Sequence, residues 1–566
     1  MATGRELLSD EQVQRFIVEG YLELPPCGDG ITSPGLAFHE GIFNAALALG
    51  PEAEARGNNI LPELPELVNV FESPQCKGAL TSLLGPGYMM HPHRFCHKSE
   101  PGRQEQRWHR DTYWGHHHAR SHCPYWVMAL YYPQNTPLEL GPTGILPRSQ
   151  YFNRDQGRGH EHFGNGSFTS AEVAARRCWD LQARSLACPA GTIILIHYDL
   201  WHAGTANVSE DCVRFMFKFQ FSRMVSPTKA PCSWICQNRT AHWQRFLEDE
   251  AAATPTEASH SGLFHYDVHS SSEGLVPVWQ GVWDWMCGAA AVRTDAHTNN
   301  NNNSSTNSNN NTNNNNNDDV HMDLADLVSR LKEGDDANEP RRVASAWQLG
   351  RLAAGQAGLI AEVLAELHLD SANACQARAV SQMLVAIGPS ALPLLLECPL
   401  WRHSPAVVHA LGRIVDCCCE RSSRFAAQKV LSDYLYAGSN CDDVRNCAAE
   451  ALGCTEEQAG AWTLLDVLAY DPVADVRATA CHSLLRLLEA GCMDDCLEGV
   501  RAAMLAAQKG DDNRYVAAYA AEGAHRIDHK LEALKRGDRS AMAPAPVIRW
   551  CSHGDGWLAS DRRLGD

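Results

Sequence analysis

No stretch of this 566-residue chain approaches the roughly 18 to 20 uninterrupted apolar residues that a membrane span needs. The opening MATGRELLSDEQVQRF lacks the basic-then-apolar layout of a secretory signal. It reads instead as the first turns of an amphipathic helix that starts at Ser9-Asp10-Glu11. Dense Lys/Arg runs are missing, and 48 basic against 67 acidic residues leave a formal charge of −19. That balance argues against a nucleic-acid binder relying on backbone neutralisation. No Cys-X-X-Cys pair occurs either. The 22 cysteines are scattered, often inside apolar helical patterns, and the adjacent Cys417, Cys418 and Cys419 cannot all pair locally. Cys232/Cys236 and Cys492/Cys496 have four-residue steps typical of one helix face. Reduced, mostly buried thiols in a cytoplasmic protein are expected.

What remains is an ordinary globular composition, 44% hydrophobic and 20% charged, in a chain too long for one core. The sharpest boundary is the tract Thr298–Asn317, almost entirely Asn, which has no apolar residue to bury and is expected to be a disordered linker. The expected organisation is therefore multidomain: a catalytic part over 1–297, a linker over 298–319, helical repeats over 320–541 and a tail over 542–566.

Before the linker, strand signals recur. Gly20–Leu24 alternates, Tyr125–Tyr132 is a continuous apolar and aromatic run ending at Pro133, and Gly191–His197 and Val213–Phe221 read alike. Non-local strands around one pocket suggest a β-barrel or jelly-roll core with flanking helices. After the linker, Ala, Leu and Arg dominate at helical spacing. Related segments begin near Arg342, Arg378, Arg445, Arg477 and Arg514, with steps of 32 to 37 residues between the close pairs. Such periods mean helical hairpins stacked so that each buries its neighbour's apolar face. The Asp-Val-Arg…Ala-Leu-Gly wording resembles HEAT-like repeats, so an all-α solenoid is expected there. Its Arg and Asp residues are expected to bind neighbouring repeats. Trp279–Met286 (WQGVWDWM) either docks the repeats onto the catalytic part or packs on that part as a terminal element.

The chemistry-bearing residues lie in the first part. His109 and Asp111 are two apart, so on extended backbone both side chains share a face, and His202, 91 residues beyond Asp111, can complete a two-histidine, one-carboxylate set that leaves positions open on an iron. Arg214 opens the next strand, where a guanidinium can grip the distal carboxylate of a dicarboxylic co-substrate. Gly141-Pro142-Thr143 and Leu146-Pro147-Arg148-Ser149-Gln150 form a turn-rich connection between the ligand regions. His116-His117-His118 reads as a surface or rim loop, and His197 as a neighbour of the site able to donate to a ligand. Trp108, Tyr113, Trp114, Tyr131 and Tyr132 fit pocket lining and core packing equally well.

The order His-X-Asp, Gly-Pro-Thr…Leu-Pro-X-Ser-Gln, then His-X4-His-X4-Asn…Arg is similar to the phytanoyl-CoA dioxygenase family, over roughly residues 10–230. The resemblance implies a double-stranded β-helix, Fe(II), 2-oxoglutarate and O2. It implies that His109, Asp111 and His202 hold the metal and that Arg214 binds the co-substrate. Lys98 matches a lysine that often precedes the His-X-Asp strand and is expected to add a second cationic contact. Two departures stand out: Arg148 occupies a position usually held by glycine, and Gly204 one usually held by a small hydroxylated residue, for which Thr205 is the nearby substitute. Because Asp111 is kept, hydroxylation is favoured over halogenation, with succinate and CO2 released. The expected substrate is a small organic molecule or acyl derivative. Two other readings stay open: an interaction scaffold carrying a degenerate oxygenase module, and repeats that recruit a protein or carrier-bound substrate.

Overall fold

The computed structural model describes residues 7–26, 35–50, 59–111, 121–153, 179, 181–227, 241–247, 270–288, 324–333, 338–367, 374–397, 404–418, 420–436 and 441–538. The Asn-rich tract, the tail, His116–His118, Tyr113, Trp114 and the Cys232/Cys236 pair lie outside these residues.

The chain begins with helix α1 (Asp10–Glu19), where Ser9 accepts from the backbone of Gln12 and the Gln12 side chain bonds back to Ser9, closing a capping box. Gly20, at φ 78, stops it and turns the chain into β1 (Tyr21–Leu24). Helices α2 (Leu36–Ala48), α3 (Leu67–Phe71) and α4 (Pro74–Leu84) follow, then β2 (Met89–Ser99), β3 (Trp126–Tyr131), β4 (Thr143–Ile145), β5 (Arg184–Ser185), β6 (Ile193–His197), β7 (His202–Gly204) and β8 (Arg214–Ser222). They form a five-stranded sheet in the order β1-β6-β3-β8-β2 and a three-stranded sheet in the order β5-β4-β7, all pairs antiparallel. Strands β1, β3, β6 and β8 fall where apolar runs predict them. Strand β2 is a surprise, because MMHPHRFCHKS carries Pro92, three histidines, Arg94 and Lys98.

Helix α5 (Ser270–Met286) contains the Trp279–Met286 segment, which packs on α1 and also meets the helical region. A Cβ added at Gly281 would lie 2.1 Å from the Trp347 ring, so this glycine is what lets the two helices close up. Both alternatives offered for the segment therefore hold at once.

The helical region runs through α6 (Leu324–Lys332), α7 (Glu339–Ala353), α8 (Ala357–Glu366), α9 (Ala374–Ile387), α10 (Leu392–Glu397), α11 (Pro405–Asp416), α12 (Arg421–Tyr436), α13 (Asp442–Thr455), α14 (Gln458–Tyr470), α15 (Ala474–Glu489), α16 (Leu497–Gly510) and α17 (Arg514–Lys535). Odd-numbered helices from α7 to α17 stack side by side as one layer, and the others cover it. The recurrent Leu-Gly pairs acquire a reason here: a Cβ on Gly412 would lie 2.7 Å from Ala451 Cβ, and one on Gly453 2.8 Å from Ser483 Cβ. Only glycine permits so close a helix approach. The recurrent Val-Arg pairs also have one, since Arg445 bonds Asp471 at 2.9 Å and Arg477 bonds Asp511 at 2.8 Å in successive units.

Among the described residues, one helical segment is long and apolar enough to cross a membrane. Gln376–Glu397 spans 22 residues at mean hydropathy 1.7. It is broken at Gly388, and Val380, Met383, Leu384, Leu392 and Leu395 sit in the core of the helical layers.

The α7–α17 layer lies directly against the strand-bearing region. Tyr125 donates to Asp416 at 2.8 Å, Trp347 to His122 at 3.1 Å, and Arg526 to the Gly87 carbonyl at 3.1 Å. His482 meets Ser222 at 3.1 Å, and the Glu339 carboxylate accepts from the Asn153 amide at 2.9 Å.

Candidate metal centre

His109 and His202 face each other across a two-bond antiparallel bridge, each amide donating to the other's carbonyl at 2.9 Å. That bridge brings together backbone segments almost a hundred residues apart, and it holds the two imidazole rings 4.6 Å apart between centroids. Asp111 joins them: one ligand atom from each of the three residues lies within 4.8 Å of the others. In His109, Nδ1 lies 2.7 Å from the Arg107 carbonyl, and in His202, 2.9 Å from the Leu200 carbonyl. A carbonyl only accepts, so both Nδ1 atoms carry the proton and both Nε2 lone pairs stay free for a metal. This tautomer lock is written into the backbone, two residues before each histidine.

Electrostatics favour the same state. Burial, reinforced by the adjacent His109, pushes the His202 imidazole down to about 4, so it is neutral at physiological pH. Burial alone would raise the Asp111 carboxyl. Lys218 at 2.8 Å and the two histidines overcome that and hold it well below the usual carboxylate range. Two imidazoles with Nδ1 tied to backbone carbonyls and one carboxylate are the donor set of an iron site with open positions, so the residues present fit the metal.

A cavity open to solvent adjoins these residues and is bordered by His97, Gln106, Thr143, Thr205, Arg214 and Lys218 among others. The Gly-Pro-Thr turn builds one wall. Gly141, at φ 66, passes so close to Thr205 that a Cβ would lie 2.4 Å from its carbonyl oxygen, and its own carbonyl accepts from Arg214 at 3.0 Å. Pro142 O accepts from the Thr205 hydroxyl at 2.7 Å, and Thr143 is hydrogen-bonded to Tyr132 at 2.6 Å. The Leu-Pro-Arg-Ser-Gln segment secures the other ligand strand: Ser149 accepts from the Trp201 amide at 3.0 Å, and Gln150 donates to Ile17 O at 3.0 Å. Arg148 sits in the left-handed region that favours glycine, at φ 70, and its guanidinium pairs with Glu19 at 3.0 Å. At Gly204, the amide donates to Gln106 at 3.0 Å, and Thr205 borders the cavity.

Arg214 is buried beside the cavity, as expected. Lys98 also borders the cavity, but its side chain does not share Arg214's strand face. In the register of β2 with β8, Ser99 pairs with Arg214, Lys98 with Phe215 and Phe95 with Lys218. Alternation therefore puts Lys218 on Arg214's face and Lys98 on the other, and the Lys98 ammonium is taken by Glu100 at 2.6 Å. Lys218 was missed, although a charged residue four places after Arg214 in the alternating RFMFKFQF was a readable signal. His197 is also displaced from the expected place: its Nδ1 accepts from the Asp199 amide at 3.1 Å and its ring lies by Phe16, away from the cavity-lining set. Tyr131 and Tyr132 are fully buried, and Trp108 nearly so, which settles them as packing residues around the site.

Residues 44–216 match the model of the phytanoyl-CoA dioxygenase (PhyH) family, a stretch that contains His109, Asp111, His202 and Arg214. No curated protein matches the chain. Among solved structures it is similar to the non-heme α-ketoglutarate-dependent carbocyclase SnoK from nogalamycin biosynthesis, at 20% identity over 40% of this chain and 88% of that one, with a TM-score of 0.30. It is also similar to HygX from Streptomyces hygroscopicus with nickel and 2-oxoglutarate bound, at 14% identity over 38% and 88%, TM-score 0.29. EctD from S. alaskensis with 2-oxoglutarate and 5-hydroxyectoine gives 17% identity over 38% and 77%, TM-score 0.30. The family match and the His-Asp-His donor set together indicate a non-haem, iron- and 2-oxoglutarate-dependent oxygenase.

Proposed function

We propose that the protein is an Fe(II)- and 2-oxoglutarate-dependent hydroxylase of a small organic or acyl substrate. The observation that carries this reading is the tautomer lock: two histidines with Nδ1 tied to backbone carbonyls, converging with Asp111 on one point beside a cavity. In it, His109, Asp111 and His202 hold the metal, and Arg214, already aimed by Gly141, takes the distal carboxylate of 2-oxoglutarate through a charge-assisted pair. Iron, 2-oxoglutarate and O2 supply the oxidising chemistry, in which substrate hydroxylation accompanies release of succinate and CO2. The chain's part is to orient. The Thr143 and Thr205 wall and the His97 ring shape the cavity, while burial keeps the His97 imidazole neutral by pushing its pKa well below the usual value.

In the same reading the two sheets make a double-stranded β-helix within residues 1–297, and the helices over 320–541 are HEAT-like repeats. The cytoplasm is its proposed place, supported by free thiols from Cys76 to Cys496 among the described residues. The α7–α17 layer is occupied by the strand-bearing region, so a protein partner, where one is held, falls to the covering helices. A scaffold with a degenerate module draws no support from so complete a donor set.

The test is substrate-stimulated turnover. Purified protein with Fe(II), 2-oxoglutarate and a metabolite extract should form succinate in step with O2 uptake and loss of one extract component. Persistence of that coupling in His109→Ala and Asp111→Ala proteins would rule the assignment out.

A further inference from the structure

Lys218 lies two residues beyond the stretch that matches the family model, yet it touches the metal centre. Its ammonium donates to Asp111 Oδ2 at 2.8 Å, with the two side chains only 10% and 15% exposed. Its orientation is imposed by β8. Phe215, Phe217 and Phe219 are fully buried on the opposite face, so Arg214, Met216 and Lys218 border the cavity together. An ammonium in such a place is costly unless paired, and among the described residues Asp111 is the carboxylate it meets.

We propose that Lys218 is a positioning residue that engages Oδ2 of Asp111, so that the carboxylate offers a metal one oxygen rather than two. The inference rests on the oxygenase reading above. Two imidazole nitrogens and a single carboxylate oxygen leave the remaining positions of an octahedral ion for the co-substrate and O2. A carboxylate released from Lys218 can chelate through both oxygens. It then occupies a position that 2-oxoglutarate needs, even though every metal ligand is still present. Lys218 thus acts on co-substrate binding through Asp111, without touching the co-substrate itself.

The experiment uses Co(II) as a spectroscopic probe, anaerobically, on the full chain. Lys218→Met keeps the apolar stem and removes the ammonium. Its visible ligand-field spectrum with Co(II) alone should differ from wild type, and its affinity for 2-oxoglutarate should fall about tenfold, the lower end of what loss of a ligand-orienting partner costs. Lys218→Arg, which keeps a donor to Oδ2, should restore both. An unchanged Co(II) spectrum in Lys218→Met overturns the inference whatever happens to co-substrate affinity, because a direct contact to 2-oxoglutarate would leave the metal-only complex alone. If Lys218→Met fails to fold, Lys218→Arg carries the test, and a folded Lys218→Arg protein with a shifted spectrum refutes the inference. Wild-type protein that binds neither Co(II) nor 2-oxoglutarate overturns the oxygenase reading itself, a distinguishable result.

Discussion

Tyr125→Phe isolates one hydrogen bond in the junction between the helical layer and the strands. The hydroxyl donates to Asp416 Oδ2 at 2.8 Å, and Arg486 holds the other oxygen at 3.0 Å. All three residues are buried, and Arg413 lies over the Tyr125 ring at 3.9 Å. Burial pushes the phenol pKa well above its usual value, so it remains a donor throughout the working range. Phenylalanine keeps the ring, its packing and the cation above it, and removes only the hydroxyl. The buried Asp416 carboxylate then loses the Tyr125 donor. A hydrogen bond to a charged group is worth about 1.5–3 kcal/mol, so the substitution should cost about 2 kcal/mol. Urea denaturation read by tryptophan fluorescence should show a lower midpoint with an unchanged slope. The cost should largely vanish in an Asp416→Asn background, as coupled sites require. A loss below about 0.5 kcal/mol would show that this junction does not join the two regions energetically.

Acid should weaken the protein as soon as pH falls below the usual histidine range. Burial pushes His93 and His122 each down to about 3, so both stay neutral in the folded chain while the unfolded chain protonates them near ~6.5. Their contribution is complete above that value and is lost as pH falls toward 3, at about 1.4 kcal/mol per pH unit for each histidine. A denaturation midpoint that is flat from pH 7 to 5 would contradict it. Gly281→Ala should lower stability by about 1–3 kcal/mol, because its methyl meets the Trp347 ring; a calorimetric melting temperature equal to wild type would disprove the close approach. Arg148→Gly should be more stable than Arg148→Ala by about 1 kcal/mol, since both lose the Glu19 pair and only glycine relieves the positive φ. Equal melts for those two variants would mean that the turn relaxes.

The parts legible in sequence are those whose cause is local. Apolar runs locate β3, β6 and β8, and the Arg445 and Arg477 spacing exposes the helical period because each arginine pairs with an aspartate in the next loop. Strand β2 was hidden because its polar residues pack against partners far along the chain: His91 stacks on Tyr515, and His93 bonds the Tyr515 hydroxyl 422 residues away. The same distance hides the docking of the helical layer, as Tyr125 and Asp416 are 291 residues apart. Within the site, His109, Asp111, His202 and Arg214 come together as their order suggested. Lys218 escaped sequence reasoning because it lies 107 residues from Asp111, whereas strand register decides which side chains share a face.

The central claim is that His109, Asp111 and His202 form an iron site that accepts 2-oxoglutarate beside Arg214. Its most direct test is an anaerobic titration of Fe(II)-loaded protein with 2-oxoglutarate, followed by metal-to-ligand charge-transfer absorption. The account predicts a saturable band at one equivalent of iron, lost in His202→Ala and reached only at higher 2-oxoglutarate in Arg214→Ala. A wild-type protein that develops no band, or a band indifferent to His202→Ala, contradicts it.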